Sequence, residues 1–189
     1  MEYTKKFNDI QAHWSKESVE RIGAKHILDE MSPRDFRPDQ KITRAEFAAI
    51  LAKSLYKGKE KDFHHSFKDV GVNQWYTKYL NIATELGFIQ GTGNSYFEPE
   101  GELTREALVV MLMRAYRYTN GEKVDSNEEM LKKFQDVDKM SIWAKQEIAY
   151  AYEKGLVYGV SANEFAPQQL ATRAQAVTML DRLLNNLYK

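Results

Sequence analysis

Three arginines stand at matching places in the sequence, each directly after a threonine that opens a helical pattern. They are Arg44, Arg105 and Arg173. At a first helical position a cation faces the positive end of the helix dipole, and if unpaired it loses about 0.3–1 kcal/mol. Packing gives no reason for arginine there, so we predict a partner for each guanidinium. The partner is either an aspartate of the chain (Asp9, Asp69 or Asp136) or an external carboxylate or phosphate held with the free amides of the helix start.

The arginines belong to a unit that occurs three times. Each copy has a Phe-x-Asp strip, then a tryptophan, then a Phe-x-Pro turn, then the Thr-Arg pair. The tryptophans are Trp14, Trp75 and Trp143, spaced by 61 and 68 residues, and the turn phenylalanines Phe36, Phe97 and Phe165 keep the same offsets. An internal repeat of this length indicates one supersecondary unit used repeatedly.

Each unit predicts two helices. The apolar spacing after the tryptophan is that of a one-sided helix, which in the second and third copies ends at Gly87 and Gly155, as a left-handed C-cap requires. The second helix starts at the threonine. Thr43 with Glu46 and Thr172 with Gln175 match the capping box, whereas the second copy is reordered to Thr-Arg-Glu-Ala.

A lone pair of such helices would be marginal in water, so we expect the three pairs to share one core. The prediction is a single all-α domain over residues 1–189 with approximate threefold symmetry, the capped helices near the axis and the tryptophan helices outside. An open solenoid of three helical hairpins is the alternative. The repeats are placed at about 7–56, 67–117 and 134–187.

Composition limits the function. The 189 residues carry 27 Lys+Arg against 27 Asp+Glu and no cysteine. A neutral chain lacks the basic surplus needed to wrap nucleic acid or to lie on an anionic membrane, and no stretch is apolar for long enough to insert into one. We find no catalytic constellation, no metal site and no cofactor motif, so we expect a protein that is not an enzyme.

The tryptophans are either core residues or sugar-stacking platforms.

Taken together, these motifs resemble the S-layer homology (SLH) family over nearly the whole chain. The resemblance implies a pseudo-threefold prism around a central three-helix bundle. It also implies a carbohydrate-binding anchor that attaches a surface protein to secondary cell-wall polymer, often through a terminal pyruvylated N-acetylmannosamine held in grooves between repeats. The partner is then a pyruvylated wall polysaccharide, and the place is the extracellular bacterial cell wall or S-layer.

The resemblance also implies the binding residues. The arginine of the Thr-Arg motif is the family's signature ligand residue, the loop glycines would let backbone approach the sugar, and the tryptophans and aspartates would line or brace the grooves. These ligand-binding residues are Arg44, Arg105, Arg173, Gly91, Gly159, Trp14, Trp75, Trp143, Asp9, Asp69 and Asp136. A pyruvyl carboxylate is a planar anion that suits a guanidinium.

The first repeat departs from this pattern. His26 replaces the capping glycine, and Glu30 replaces the loop glycine. A glutamate there would repel an anionic ligand, so we expect fewer than three working grooves, with the first-repeat loop the weakest. The alternative function is a degenerate SLH module that binds a protein at the cell surface. We expect a monomer, and because residues 1–6 lack a signal-peptide core, a piece of a longer secreted protein.

Overall fold

The computed structural model describes residues 5–58, 63–64, 66–121, 123 and 125–188. Over these ranges the chain forms six α-helices and three short 3-10 helices, and its only extended pairings are isolated bridges. The α-helices are α1 (Lys16–Gly23), α2 (Arg44–Leu55), α3 (Thr77–Glu85), α4 (Arg105–Asn120), α5 (Ile142–Glu153) and α6 (Arg173–Leu187). The 3-10 helices span Asn8–Ile10, Glu128–Lys133 and Val137–Lys139. The all-α class predicted from the sequence is confirmed.

The capped helices α2, α4 and α6 begin where the Thr-Arg motif predicts. In each, the N-cap threonine hydroxyl accepts a hydrogen bond from the amide three residues later. Glu46 and Gln175 complete capping boxes, and the reordered second repeat has the threonine bond alone. The turn phenylalanines Phe36, Phe97 and Phe165 are fully buried.

The tryptophan helices α3 and α5 end as the glycines predict. Gly87 and Gly155 have φ of 73° and 68°, in the left-handed region. His26 takes the same conformation in the first repeat, with φ of 60°. The chain direction after the helix is therefore kept in all three repeats, although only two of them carry the residue that adopts it without strain.

The three repeats close into a ring. The capped helices α2, α4 and α6 contact one another in pairs, and each tryptophan helix packs on the capped helix of the preceding repeat: α3 on α2, α5 on α4 and α1 on α6. The last contact returns the third repeat to the first, so the open solenoid is wrong. The prism shape remains a prediction.

Three backbone hydrogen bonds join the repeats at the residues just before the N-caps. The amide of Ile42 donates to the carbonyl of Ala171 (3.0 Å), Ala171 to Leu103 (2.8 Å), and Leu103 to Ile42 (3.2 Å). All three residues are buried. Buried backbone groups must be paired, and here each repeat supplies the hydrogen-bond partner of its neighbour. All three repeats are therefore needed to pair these amides and carbonyls.

The three aspartates of the Phe-x-Asp strips hold the Phe-x-Pro turns of their own repeats. The Asp69 carboxylate accepts hydrogen bonds from the amides of Phe97 (2.9 Å) and Glu98 (2.7 Å), and Asp9 and Asp136 do the same in their repeats. The second amide in each case belongs to a left-handed residue that is not glycine: Arg37, Glu98 and Ala166, with φ of 56°, 58° and 57°. The aspartate therefore stabilises a strained turn that precedes a proline.

Replacing Asp69 with Asn should remove stability in a pH-dependent way. Burial raises the pKa of Asp69, but hydrogen bonds from backbone amides and the nearby charge of Arg44 together lower it by more, so it lies below its ordinary value. This stabilisation is complete above the unfolded pKa of about 3.9 and is lost as the pH falls through the lower folded pKa. Asp69→Asn turns an NH2 group toward one amide and should cost about 1–3 kcal/mol at pH 7. Urea unfolding should show a smaller difference in unfolding free energy between Asp69→Asn and wild type at pH 3 than at pH 7.

The exposed Asp138 provides the matched control. Asp138→Asn should change the free energy of unfolding by less than about 0.5 kcal/mol at either pH. If the loss of unfolding free energy in Asp69→Asn were the same at pH 7 and pH 3, the role assigned to this carboxylate would be contradicted.

Candidate functional site

Each arginine of the Thr-Arg motif reaches across to the next repeat. Arg44 donates from Nε to the carbonyl of Phe97 (2.7 Å) and from Nη2 to that of Gln90 (3.1 Å). Arg105 makes the equivalent bonds to Phe165 (3.0 Å) and Tyr158 (2.8 Å). Both guanidinium groups also lie over the ring of the phenylalanine whose carbonyl they bind, 4.7 and 5.0 Å from its centroid. The arginines therefore clamp neighbouring repeats together.

Arg173 makes the same clamp on the first repeat and is bonded further. It donates to the carbonyls of Phe36 (2.8 Å) and Met31 (3.3 Å), and it also binds the Ser32 hydroxyl and the Glu46 carboxylate. All three nitrogens of this guanidinium are therefore engaged. Arg44 and Arg105 differ, because their Nη1 atoms have no hydrogen-bond partner among the described residues.

Two expectations about these arginines are wrong. Within the described ranges no arginine of the motif forms an ion pair with Asp9, Asp69 or Asp136, since those carboxylates bind turn amides instead. The amides of the helix starts are not free either. Those of Arg44 and Ala45 donate to the carbonyls of Gly101 (2.8 Å) and Pro99 (2.9 Å), and α4 and α6 repeat this pattern. The amides of these helix starts are therefore not available to an external anion.

A groove lies beside Arg44, between the first and second repeats. Its wall includes the loop 90–92, with Gly91, and the α4 residues Ala107, Val110 and Arg114, and Trp143 closes it from the third repeat. We call it the Arg44 groove. All three repeats thus contribute to a single site.

The Arg105 groove is the equivalent site one repeat further along, with a volume of about 300 Å³. Tyr158 and Gly159 come from the third-repeat loop, and Trp14 comes from the first repeat. The α6 residues in its wall are Gln175, Thr178, Met179 and Arg182. Arg182 lies over the Tyr158 ring, 4.5 Å from its centroid.

Both grooves hold two guanidinium groups that lack a carboxylate partner. Among the described residues, no ion pair involves Arg44, Arg114, Arg105 or Arg182. Burial is the main cause that lowers the pKa of Arg105 to about 10; Asp136 opposes this shift and Arg182 adds to it. Burial also lowers the pKa of Arg44, with Glu98 opposing the shift and Arg114 adding to it. An anion bound beside both cations of a groove would offset part of the cost of burying their charge.

The third equivalent position, at Arg173, is neutralised from within, and we call it the Arg173 groove by analogy with the other two. Lys53 of α2 occupies the place that Arg114 and Arg182 hold in the other repeats, and it forms an ion pair with Glu30. Tyr79 also donates to Glu30 (2.8 Å), and Glu46 pairs with Arg173. The chain's own carboxylates therefore meet both cations of this groove.

The remaining predicted residues lie as follows. Trp14, Trp75 and Trp143 are 63%, 36% and 58% exposed, which excludes the core alternative and leaves their rings open to a ligand.

Gly91 and Gly159 lie in groove walls, but their absence of a side chain has an internal reason. A Cβ on Gly159 would lie 2.5 Å from the carbonyl oxygens of Ser161 and Glu164, and one on Gly91 would lie 2.6 Å from that of Tyr96.

Sequence reasoning missed two sets of residues. Arg114 and Arg182 carried a readable signal, because with Lys53 they are basic at one register of all three repeats. The reordered Glu106 gave none. It is buried, and its carboxylate accepts hydrogen bonds from the Ser141 amide (2.9 Å), the Ser141 hydroxyl (2.7 Å) and Gln168 (2.7 Å). The incomplete cap of the second repeat therefore frees Glu106 to bind the third.

Two absences among the described residues bear on the site. No group of three or more His, Asp or Glu side chains is placed to hold a metal ion there. No helix in the same ranges has the length and apolarity needed to cross a membrane.

Comparison with known proteins gives consistent matches. A family model for the S-layer homology domain matches residues 6–48, 66–108 and 133–177. The chain is 35% identical over 184 residues to the exoglucanase XynX of Acetivibrio thermocellus, covering 96% of this chain and 17% of that protein. It is 32% identical over 177 residues to an S-layer protein of Bacillus thuringiensis subsp. finitimus, covering 93% and 21%. The chain thus spans about a fifth or less of these relatives.

Arg105→Gln should destabilise the domain. The substitution removes two hydrogen bonds to the carbonyls of Tyr158 and Phe165 across a repeat boundary and should cost about 2–3 kcal/mol in unfolding free energy. Arg182→Gln is the matched control, since it removes a guanidinium from the same groove without breaking a backbone bond, and it should cost less than about 1 kcal/mol. Chemical denaturation measures both. Equal stability of the two variants would refute the clamp.

Proposed function

Because the chain belongs to the S-layer homology domain family, we propose that it is a non-catalytic anchor that attaches a surface protein to the bacterial cell wall. The ligand is a secondary cell-wall polymer, bound through pyruvylated N-acetylmannosamine in the Arg44 and Arg105 grooves. The relatives support this role. An S-layer protein and an exoglucanase share the matched region, which is a small part of each chain, so a common surface attachment explains the match better than a common reaction.

The observation that carries the proposal is the pair of guanidinium groups that form no ion pair among the described residues, beside an exposed tryptophan, in each of these two grooves. Two cations that share a half-buried site favour an anion, and a carboxylate offers two oxygens to the guanidinium nitrogens. An exposed indole ring stacks on the apolar face of a sugar. A sugar that carries a pyruvyl carboxylate satisfies both requirements in one residue. The aspartates contribute indirectly by fixing the turns whose carbonyls orient the arginines.

The same logic limits the number of sites to two for each chain. In the Arg173 groove, Glu30 and Glu46 already pair with Lys53 and Arg173. An anionic sugar entering there would have to displace these ion pairs and face the displaced carboxylates. We therefore propose that Arg173 acts as a clamp between the third and first repeats, and that Arg44 and Arg105 act both as clamps and as ligand residues.

The alternative is a module that binds a protein partner after losing its sugar site. The internally neutralised Arg173 groove is the observation in its favour. It does not extend to the other two grooves, whose cations have no resident counter-ion among the described residues. The anchor is therefore the better account, and we place it outside the cell, at the wall, as a monomer.

Calorimetric titration with pyruvylated N-acetylmannosamine should give two sites for each chain. Arg114→Gln and Arg182→Gln should each weaken one site, so that one tight site is left, and should keep the clamps intact. Loss of a charged hydrogen bond should weaken the affected groove by about tenfold or more. Lys53→Gln, the same register in the neutralised groove, is the control and should leave both sites unchanged. Thermal melting of each variant checks the fold.

The comparison ligand is N-acetylmannosamine without the pyruvyl group. Equal affinity for the two sugars would refute the proposed function, as would binding that the Arg114→Gln, Arg182→Gln double variant leaves unaltered. Three equivalent sites would refute the assignment of the Arg173 groove alone.

A further inference from the structure

The two cationic grooves differ in the wall that the capped helix presents. In the Arg105 groove this wall contains Thr178 and Gln175 of α6. The matching α4 residues in the Arg44 groove are Val110 and Ala107. One groove therefore has a hydroxyl and an amide where the other has only apolar groups.

The Thr178 hydroxyl is unusual within this chain. Threonines and serines inside helices commonly donate to the carbonyl four residues earlier. Thr84, Thr119 and Ser54 do so here, to Leu80 (2.7 Å), Ala115 (3.1 Å) and Ile50. Thr178 is 7% exposed, yet its Oγ1 has no hydrogen-bond partner in the part of the chain that the structure describes.

A buried hydroxyl without a partner destabilises a protein, and valine would fill the same volume without that penalty. Val110 shows that this fold accepts valine at the equivalent position. The hydroxyl thus has no structural use that the described contacts reveal, and it lies in the wall of a groove. Gln175 adds to this wall, because its Oε1 accepts from the Thr172 amide while its Nε2 has no partner in the same ranges.

We propose that Thr178 and Gln175 form a hydrogen-bonding subsite that makes the Arg105 groove the tighter and more selective of the two. In this arrangement Arg105 and Arg182 take the carboxylate of an anionic sugar, and Thr178 Oγ1 and Gln175 Nε2 bind a hydroxyl or acetamido oxygen of the same ring. The Arg44 groove binds the carboxylate alone against an apolar wall. This inference rests on the proposed function and assigns unequal roles to its two sites.

The test isolates one groove at a time with pyruvylated N-acetylmannosamine as the probe. In the Arg114→Gln background the Arg105 groove is left as the one tight site. There Thr178→Val should weaken binding about fivefold. Thr178→Ser, which keeps the hydroxyl, should retain the affinity. In the Arg182→Gln background Thr178→Val should have no effect, whereas Val110→Thr should strengthen binding in the Arg44 groove.

Thermal melting separates binding from folding. Thr178→Val removes an unpaired buried hydroxyl, so its melting temperature should equal or exceed that of the parent. A lower melting temperature would overturn the inference, because it would show that the hydroxyl serves the fold. Unchanged affinity of Thr178→Val in the Arg114→Gln background would also overturn it, and would leave the proposed function standing. Failure of the wild-type chain to bind the probe would overturn both.

Discussion

The guanidinium groups at the starts of α2, α4 and α6 bind backbone carbonyls of the next repeat, and the rest of the structure depends on this contact. The carbonyls of Phe36, Phe97 and Phe165 lie in turns outside the helices, and a buried carbonyl needs a donor. Arg44, Arg105 and Arg173 supply it from outside, beside the backbone bonds that join Ile42, Leu103 and Ala171. The same side chains bring positive charge to the grooves between repeats. The same arginines therefore join the repeats and build the proposed site.

Charge is distributed so that the balance of the whole chain says little about any one groove. The chain is neutral, yet two grooves each hold a pair of cations that form no ion pair among the described residues, and the third is neutralised by Glu30 and Glu46. A site built from two placed guanidinium groups gains its affinity from short contacts, which salt screens less than long-range attraction. A chain of zero net charge could in this way hold the anionic glycan that we propose as its ligand.

Local signals in the sequence predicted the parts of the fold that depend on neighbours along the chain. The threonine caps and the left-handed Gly87 and Gly155 follow from rules that operate within a few residues. The role of Asp69 did not follow, because it binds amides 28 and 29 residues away. The partners of the arginines were also beyond reach, since carbonyl groups carry no residue type. Arg114 and Arg182 were readable from their register, whereas the missing partner of Thr178 appears only in three dimensions.

The most direct measurement is a crystal structure of the chain with pyruvylated N-acetylmannosamine. The account predicts a sugar in the Arg44 groove and in the Arg105 groove, with its carboxylate within hydrogen-bond distance of the Nη1 atom of each arginine. It also predicts that the Arg173 groove keeps its Glu30 and Glu46 ion pairs and binds no sugar. A sugar bound away from these guanidinium groups, or bound in the Arg173 groove and absent from the other two, would contradict the account.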